Sequence, residues 1–391
     1  MKRIGLPPTV LTLSATHLVN DIFGNIYAPL LPLLIPRLGL SLTAAGTIAM
    51  AIHLSGSVSQ LFFGPLADRW RPRVLVIAGP LLAVALLSLA PLATSALMLG
   101  AILVAGNMGS AAFHPTAAAV VNRVGGDRRG LAMSVHVSGG AVGNAVAPLI
   151  FAPYAQRFGV VWTPLLALPA LLLLARILRG VPEVRLAQGR GPQGLAALRP
   201  YAVPLTLLWV VVVIRTLVAI GFSTFLPVFM TRQGMSVSQA GTAVSLYLMT
   251  GSVGGLAGGP MADRFGPRRV IAFSLFAAVP LLALAPALTG PASLAVLVAG
   301  GFFLGSTLPV NITYAHMIAP VATGTVSSLM MGVAWGTGGL AVPAIGLLGD
   351  SIGLGPTLQL VGLLPAAGAL LILALPAARS HPREVQPASG T

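Results

Sequence analysis

Long apolar runs, separated by short loops of glycine, proline and arginine, recur along the whole chain. Most runs are about 20 residues or longer, the length that an α-helix needs to cross the hydrocarbon core of a bilayer. Runs of this length predict transmembrane helices rather than buried strands. Twelve such helices are predicted, near residues 9–36, 42–66, 73–93, 96–122, 130–155, 160–179, 201–230, 236–262, 269–288, 291–318, 322–349 and 354–377.

The composition also favours a membrane location. Apolar residues make up 56% of the 391 positions and charged residues 7%, which leaves too little polar surface to coat a soluble globule of this size. The net charge of +15 would favour a nucleic-acid partner in a soluble protein, but these cations lie in short loops, where they contact anionic lipid. We therefore predict an all-α polytopic membrane protein that has a lipid bilayer, and no nucleic acid, as its partner.

The basic residues orient the chain in the membrane. If both termini are cytoplasmic, eighteen Lys and Arg residues fall in inside segments and three, Arg37, Arg157 and Arg232, fall in outside loops. Basic residues concentrate in the cytoplasmic loops of membrane proteins, so both termini are predicted to be cytoplasmic. Lys2 is the only lysine in the chain, and this use of arginine favours a GC-rich genome and a bacterial plasma (inner) membrane.

Two charged stretches repeat the same pattern in the two halves of the chain. GPLADRWRPR begins at Gly64 and GPMADRFGPR begins at Gly259, 195 positions later. The same offset aligns LPLLIPRLGLSLTAAGT, from Leu31, with LPVFMTRQGMSVSQAGT, from Leu226, without a gap. A duplicated unit with an even number of helices has the same orientation in both copies, as in transporters that bind substrate between parallel repeats. We predict an N-terminal six-helix bundle over residues 1–182, a cytoplasmic linker over 183–200 and a C-terminal six-helix bundle over 201–391.

These charged stretches resemble the signature of the loops between helices 2 and 3, and 8 and 9, of the major facilitator superfamily. The first copy departs from the pattern, because Arg71 stands where the second copy has Gly266. Three further stretches resemble the fosmidomycin-resistance type of drug exporter: HLVNDIFGNIYAPLLPLLIPRLGLSLTAAG in helix 1, AAFHP in helix 4 and MMGVAWGTGGLAVPAIGLLGD in helix 11. The resemblance covers the whole chain and implies a transporter that works by alternating access.

The resemblance also implies a gating role for the charged loops. In the superfamily, such loops hold the two halves together on the cytoplasmic side when the protein faces outward. A carboxylate at this place is stabilised by a helix N-terminus and by guanidinium partners. The predicted gating residues are Asp68, Arg69, Arg73, Asp263, Arg264 and Arg268. The alternative is a solvated loop that only orients the chain during insertion.

Small residues mark predicted contacts between helices. Helix 5 contains SGGAVGNAVAP and helix 8 contains TGSVGGLAGGP, and glycines at such spacings let helices approach closely. Gly143 and Pro148 match a motif of the exporters, although Ala147 replaces its second glycine, and the repeat pairs them with Gly338 and Pro343. All four are predicted packing positions. Ordinary packing explains them about as well as a role in drug export.

Ionisable residues inside the predicted helices are candidates for function, because each costs about 2.5–3.5 kcal/mol on insertion scales. One face of helix 1 carries Ser14, His17, Asn20, Asp21, Gly24 and Asn25. Arg215 in helix 7 aligns with Asn20 through the repeat and needs an anion at this depth. We therefore expect an ion pair between Asp21 and Arg215 across the central cleft. Its role would be proton coupling, or alternatively a static bridge between the halves.

Three histidines join this pair as candidates for proton coupling. His17 lies one turn from Asp21, and His114 and His136 fall at a similar depth on helices 4 and 5. The alternative for each histidine is a hydrogen-bonded packing residue. Further polar and aromatic residues are predicted to line the substrate cavity, with core packing as the alternative for each aromatic: Asn20, Asn25, Tyr27, Asn107, Phe222, Phe225, Asn311 and Trp335. No metal site and no cofactor are predicted.

Together these features predict a monomeric secondary transporter that exports a small drug-like or organic-anion molecule in exchange for protons. The alternative is proton-coupled uptake of a small organic anion, and only the resemblance favours export. Many drug/proton antiporters of the superfamily carry an arginine in helix 4 where this chain has Ala105, so coupling would fall to Asp21, Arg215 and the histidines. An enzyme is not predicted, because H-E-x-x-H, G-x-S-x-G and paired intramembrane aspartates are absent.

Overall fold

The computed structural model describes residues 5–69, 71–184, 195–321 and 323–375, and these residues form helices without a β-strand. The helices of the N-terminal half are α1 (Pro8–Gly24), α2 (Tyr27–Leu38), α3 (Leu42–Arg69), α4 (Pro72–Leu87), α5 (Ala96–Val124), α6 (Arg129–Phe158) and α7 (Ala167–Leu178). The helices of the C-terminal half are α8 (Ala202–Arg232), α9 (Val237–Phe265), α10 (Pro267–Leu284), α11 (Gly290–Ile318), α12 (Thr323–Ser328), α13 (Ala334–Leu340), α14 (Val342–Ile352), α15 (Leu354–Leu363) and α16 (Pro365–Leu373).

Eleven segments of the described chain are long and apolar enough to cross a membrane. The first of them, Pro8–Leu38, contains α1 and α2, and the tenth, Thr325–Ile352, contains α13 and α14. The predicted eighth span corresponds to α9, which is not among the eleven because its glycines, serines and threonines lower its hydropathy. At 29 residues, α9 is nevertheless long enough to cross the bilayer. With α9 as the twelfth span, the fold is the predicted all-α membrane fold.

Two predicted spans are interrupted inside the membrane. The first span breaks between Gly24, where α1 ends, and Tyr27, where α2 begins. Asp21 lies in the last turn of α1, and its carbonyl accepts a hydrogen bond from the backbone N–H of Asn25 in the break. The span of α12–α14 contains a π-helical turn over Leu329–Val333 and a second break before α14. Such irregular backbone is tolerated at membrane depth where it is buried in protein or lines a cavity. We therefore expect both interruptions to face neighbouring helices or a cavity and not the lipid.

The two halves pack against each other mainly where α3 meets α13 and α14 and where α6 meets α9, with a smaller contact between α2 and α8. A Cβ atom on Gly46 of α3 would lie 2.8 Å from the carbonyl oxygen of Val342 and 3.0 Å from the Cα of Pro343. A Cβ atom on Gly241 of α9 would lie 2.8 Å from the carbonyl oxygen of Pro148. The two glycines are 195 positions apart, and so are the two prolines. The repeat in the sequence thus produces two equivalent close contacts between the halves.

Side chains from one half also cap helices of the other half. The Asp350 carboxylate accepts hydrogen bonds from the backbone N–H groups of Leu42 and Thr43, both at 2.9 Å, and from the Thr43 hydroxyl at 2.7 Å. In the equivalent contact, Gln156 Oε1 accepts a hydrogen bond from the backbone N–H of Ser238 at 2.7 Å. The first N–H groups of a helix need such acceptors. These caps join the halves at the outer face, the membrane face opposite the arginine-rich loops.

Asp350→Asn is expected to weaken the closure of the outer face, because a neutral amide cannot accept these three hydrogen bonds as a carboxylate does. Loss of about 1–2 kcal/mol would shift the closed-to-open ratio by roughly 5–30-fold. The chain lacks cysteine, so a single Val342→Cys substitution at the buried contact can report opening through its rate of maleimide labelling. Asp127→Asn, on an exposed loop, is the matched control. Equal labelling rates with and without Asp350→Asn would contradict the assignment.

Two neighbouring glycines of α9 allow a test of the packing. A Cβ atom on Gly254 would lie 2.0 Å from the carbonyl oxygen of Phe302, whereas a Cβ atom on Gly255 would meet its nearest neighbour at 3.7 Å. We expect Gly254→Ala to destabilise the protein by about 1–3 kcal/mol through overpacking, and Gly255→Ala to leave its stability nearly unchanged. Thermal unfolding of the detergent-purified variants measures both. Equal melting temperatures would show that α9 and α11 are not packed as described.

Candidate functional site

Two histidine rings contact the carboxylate of Asp21 inside the N-terminal half, and a third histidine lies beside them. His17 Nε2 lies 3.4 Å from Asp21 Oδ2, and His114 Nε2 lies 3.2 Å from Asp21 Oδ1. The His136 ring lies 4.5 Å from the His17 ring, centroid to centroid. Asp21 is 8% exposed, so this polar cluster is enclosed by protein. The structure therefore brings four of the five predicted coupling residues together from three helices, α1, α5 and α6.

Local sequence explains how the cluster forms. His17 and Asp21 are four residues apart on α1 and share one face of that helix. α6 approaches this face closely because it presents glycines there. A Cβ atom on Gly140 would lie 2.3 Å from His17 Nε2, and one on Gly143 would lie 2.4 Å from the carbonyl oxygen of Leu18. Gly143, predicted from its motif to be a packing residue, thus lies where α6 meets the Asp21 turn of α1.

Two asparagines complete the coordination of the carboxylate. Asn20 Nδ2 donates to Asp21 Oδ1 at 2.9 Å and to Ser110 Oγ at 2.7 Å, and Asn144 Nδ2 donates to Asp21 Oδ2 at 2.9 Å. Each carboxylate oxygen therefore has one amide and one histidine partner. Spacing in the sequence already places both Ser110 and Asn144 beside the predicted coupling residues, since Ser110 shares a helix face with His114 and Asn144 shares one with His136. Their bonds to Asn20 and to Asp21 appear only in the structure.

The ring nitrogens that face away from Asp21 contact backbone carbonyls. His114 Nδ1 lies 2.7 Å from the Ser110 carbonyl oxygen, and His17 Nδ1 lies 2.9 Å from the His136 carbonyl oxygen. A carbonyl oxygen only accepts hydrogen bonds, so each Nδ1 carries a hydrogen. In a neutral ring, Nε2 would then present a lone pair to the carboxylate. Each carboxylate–histidine contact is therefore attractive only when a proton lies on one of its two atoms.

The expected ion pair between Asp21 and Arg215 is wrong for this structure. Arg215 is buried in α8, at 7% exposure, and its Nε donates to the Leu304 carbonyl oxygen at 3.4 Å. Among the described residues, no carboxylate oxygen lies within 4.0 Å of Arg215. The repeat offset gave the two residues a common depth, but depth does not bring side chains of opposite halves into contact. Histidines of its own half satisfy Asp21 instead.

The C-terminal half, which contains Arg215, also contains buried polar groups that lack partners. Within the described part of the chain, Thr216 Oγ1, Ser245 Oγ and both side-chain atoms of Asn311 are buried without a hydrogen bond. Asn311, a predicted cavity residue, is 1% exposed. Buried polar groups normally have partners, and a guanidinium has five donors. These buried donors and acceptors of the C-terminal half therefore retain the capacity to bind an anionic or polar group.

Three other predicted cavity residues use their polar groups on backbone carbonyls. Asn25 Nδ2 donates to the backbone carbonyl oxygen of Asn144 at 2.8 Å, and Tyr27 Oη donates to the carbonyl oxygen of Ala45 at 2.8 Å. Asn107 Nδ2 donates to the carbonyl oxygen of Ile52 at 2.7 Å. These bonds hold α1, α2 and α5 against their neighbours. In this conformation the three residues are placed as links between helices.

The predicted aromatic walls differ in their exposure. Phe222 and Phe225 are fully buried in the core of the C-terminal half, and Phe222 stacks on Tyr247 with ring centroids 6.2 Å apart. Trp335 of α13 is 38% exposed. Of the three, only Trp335 presents a surface that a bound molecule could contact in this conformation.

The predicted gating residues are placed in part. The side chains of Asp68 and Arg69 lie outside the described part of the chain. Arg73 lines a cavity of about 310 Å³ together with Arg71 and Glu183. In the other half, Asp263 is exposed, Arg264 lies 5.1 Å over the Phe265 ring, and Arg268 donates to the Leu373 carbonyl oxygen. These contacts stay within one half, so the gating role remains a prediction.

The cluster around Asp21 also offers ligands for a cation. One ring nitrogen of His17, one of His114 and a carboxylate oxygen of Asp21 all lie within 4.8 Å of one another. No metal site was predicted from the sequence, in which Asp21 and His114 are 93 residues apart on different helices. Only the packing of α1 against α5 brings them together.

A duplicated helical unit, with ionisable groups enclosed between its helices and hydrogen bonds that join its two halves, is the architecture of a membrane transporter. The chain belongs to the Major Facilitator Superfamily, whose model matches residues 13–238 and 208–391.

Two relatives span nearly the whole chain. The uncharacterized MFS-type transporter YfnC of Bacillus subtilis (strain 168) is 33% identical over 94% of this chain and 92% of its own. The fosmidomycin resistance protein of Escherichia coli (strain K12) is 30% identical over 92% of this chain and 91% of its own.

Solved transporter structures share the fold. A bacterial homolog of the human lysosomal transporter Spinster, in an inward-facing and occupied conformation, matches with a TM-score of 0.74 at 19% identity, over 94% of this chain and 96% of that one. The nucleoside transporter NupG matches with a TM-score of 0.72 at 15% identity, over 94% and 98% of the two chains. The resemblance to the superfamily and to the fosmidomycin-resistance type, inferred from sequence motifs, is confirmed.

Proposed function

We propose that this protein is a secondary active transporter that exports a small drug-like or organic-anion molecule in exchange for protons. The observation that carries the proposal is the cluster of Asp21, His17 and His114. Each of its two carboxylate–histidine contacts needs a proton to be attractive. A proton site carried by one half can exchange its protons with each side of the membrane in turn when that half moves against the other. This is the property that couples proton flow to alternating access.

The relatives and the contacts between the halves support the direction and the mechanism. A fosmidomycin resistance protein among the relatives favours export of a drug-like molecule. The Asp350 and Gln156 caps close the outer face through hydrogen bonds, which can be exchanged for water during a transport cycle. In our proposal the monomer lies in a bacterial inner membrane, and residues 1–182 and 201–391 move as two units about the linker 183–200.

The predicted gating residues fit this proposal as the complementary closure on the arginine-rich face. When the outer face opens, the charged ends of α3 and α9, which contain Asp68 and Asp263, and the loops that follow them would approach the opposite half. Ion pairs with arginines of those loops would then hold the inner face shut, since charge-assisted hydrogen bonds are strong and reversible.

Proton-coupled uptake of a small organic anion is the second candidate. Arg215 favours it, because this buried guanidinium has only a backbone carbonyl as its described partner. An anion bound there would compensate the charge. In uptake the anion would travel with the proton, whereas in export the substrate would exchange with it.

Proteoliposomes that contain a trapped pH dye distinguish the two candidates. Fosmidomycin serves as the probe and is added outside. Exchange predicts that its entry drives protons out and raises the internal pH, whereas uptake with a proton predicts that the internal pH falls. Protein-free liposomes are the control. Accumulation of fosmidomycin with no change of internal pH would contradict proton coupling in either direction.

A further inference from the structure

We infer that His17, Asp21 and His114 form a binding site for one divalent transition-metal ion of the Zn²⁺, Co²⁺ or Ni²⁺ type. Two imidazole nitrogens and a carboxylate oxygen are a common ligand set for these ions. The site lies inside the N-terminal half, and its ligands come from α1 and α5. The inference concerns ion binding alone and does not depend on the proposed direction of transport.

The spacing of the ligand atoms supports a metal site. The distances from the carboxylate oxygens to the two Nε2 atoms are 3.4 Å and 3.2 Å. Metal–ligand bonds of about 2.0–2.2 Å at tetrahedral angles separate neighbouring ligand atoms by about 3.3 Å. All three ligand atoms lie within 4.8 Å of one another, so a small side-chain rotation can close the remaining edge around an ion.

The surrounding hydrogen bonds are a second and independent observation. Histidines that bind metals usually donate their other ring N–H to a carbonyl or a carboxylate, which fixes the tautomer and aims the free lone pair at the ion. Both histidines have this arrangement, since each Nδ1 is 2.7–2.9 Å from a backbone carbonyl oxygen. Asp21 is held in the same way by the amides of Asn20 and Asn144. The ligands are therefore oriented before any ion binds.

Access to the site is asymmetric. The side chains of His17 and Asp21 are 10% and 11% exposed, whereas that of His114 is 32% exposed. An ion can therefore enter past His114 while its other ligands stay fixed. Three protein ligands leave at least one coordination position for water or another small group, as in open metal sites.

The metal ion and the protons of the cluster compete for the same atoms. A metal needs both Nε2 lone pairs and the ionised carboxylate, and these are the atoms on which the proposed coupling protons lie. A bound ion would also tie α1 to α5. We therefore expect Zn²⁺ to inhibit proton-coupled transport, an effect that rests on the proposed function.

The test uses tag-free, full-length protein in detergent, because a histidine tag would itself bind metal. Isothermal titration with Zn²⁺ and the visible absorption of bound Co²⁺ measure stoichiometry and coordination. We expect one ion per chain with nitrogen and oxygen ligands. Asn144→Ala removes a hydrogen bond that supports a ligand and should weaken metal binding by about 10–100-fold. Asp21→Asn and His114→Gln each remove a ligand and should weaken metal binding by more than this.

His316→Gln is the matched control, since His316 lies in the C-terminal half, away from the cluster, where its Nε2 contacts the Ser327 hydroxyl at 2.8 Å. Size exclusion and thermal unfolding confirm that each variant is folded, and the more exposed His114 gives a usable variant if Asp21→Asn does not fold. Absence of saturable binding by the wild type, or equal binding by His114→Gln and the wild type, overturns the inference. Binding without any pH-coupled transport would leave the metal site intact and refute the proposed function instead.

Discussion

Asp21→Asn is expected to abolish pH-driven transport while leaving exchange of substrate across the membrane intact. The substitution keeps the shape of the side chain but removes the acidic group to which His17 and His114 are joined. Without the negative charge, two protonated imidazoles in one enclosed site would repel each other. The cluster can then no longer load and release its protons. Transport of fosmidomycin against its gradient after a pH step, in proteoliposomes, measures the loss, and counterflow without a pH step measures the exchange.

The matched control is Asp127→Asn, which makes the same chemical change on an exposed loop and should leave both activities unchanged. If Asp21→Asn still concentrates fosmidomycin after the pH step, Asp21 is not the coupling residue. His17, whose Nε2 is the nearest alternative proton site on α1, would then be the next candidate.

Arg215→Met is expected to abolish both pH-driven transport and exchange without destabilising the fold. Methionine fills much of the volume of the arginine stem, and removal of an uncompensated buried charge is neutral or stabilising. The guanidinium is the only described cation among the buried residues of α8, so its loss removes the anion-binding capacity of that region. Counterflow of fosmidomycin and thermal unfolding of the same preparation separate the two effects. Arg215→Lys is the second variant, because lysine keeps the charge but not the planar fork.

Retained exchange in Arg215→Met would show that Arg215 does not contact the substrate. A large fall in melting temperature would show instead that its contact with the Leu304 carbonyl is structural. Only loss of exchange in a stable variant agrees with a binding role.

The fold was predictable from the sequence because its main determinants are local. Apolar runs of membrane length define the helices, and the repeat around Gly64 and Gly259 defines the two halves. The interruption after Gly24 was not predicted, since the residues on both sides of Asn25 are mostly apolar and together are long enough for one continuous span. The low hydropathy of α9 is due in part to glycines that allow α9 to pack closely against α11. Hydropathy alone therefore undervalues a helix that is buried by protein rather than by lipid.

The site was predictable in its members but not in its contacts. The cost of burying ionisable groups identified Asp21, Arg215 and the histidines, and spacing placed His17 beside Asp21. Depth in the membrane follows from position in the sequence, whereas the direction in which a side chain points depends on how each helix is rotated. The sequence therefore could not distinguish Arg215 from His114 as the partner of Asp21. The supporting carbonyl bonds to Nδ1 were also hidden, because they involve backbone atoms of Ser110 and His136.

Release of protons by the purified protein tests the central claim most directly, namely that the cluster of Asp21, His17 and His114 holds the protons exchanged for substrate. Fosmidomycin is added to detergent-solubilised protein in weakly buffered solution that contains a pH dye, and binding is followed in parallel by calorimetry. We predict that the wild type releases protons in proportion to the fosmidomycin bound and that Asp21→Asn binds fosmidomycin without releasing protons. Equal proton release by the two proteins, or binding to the wild type without release, would contradict the account.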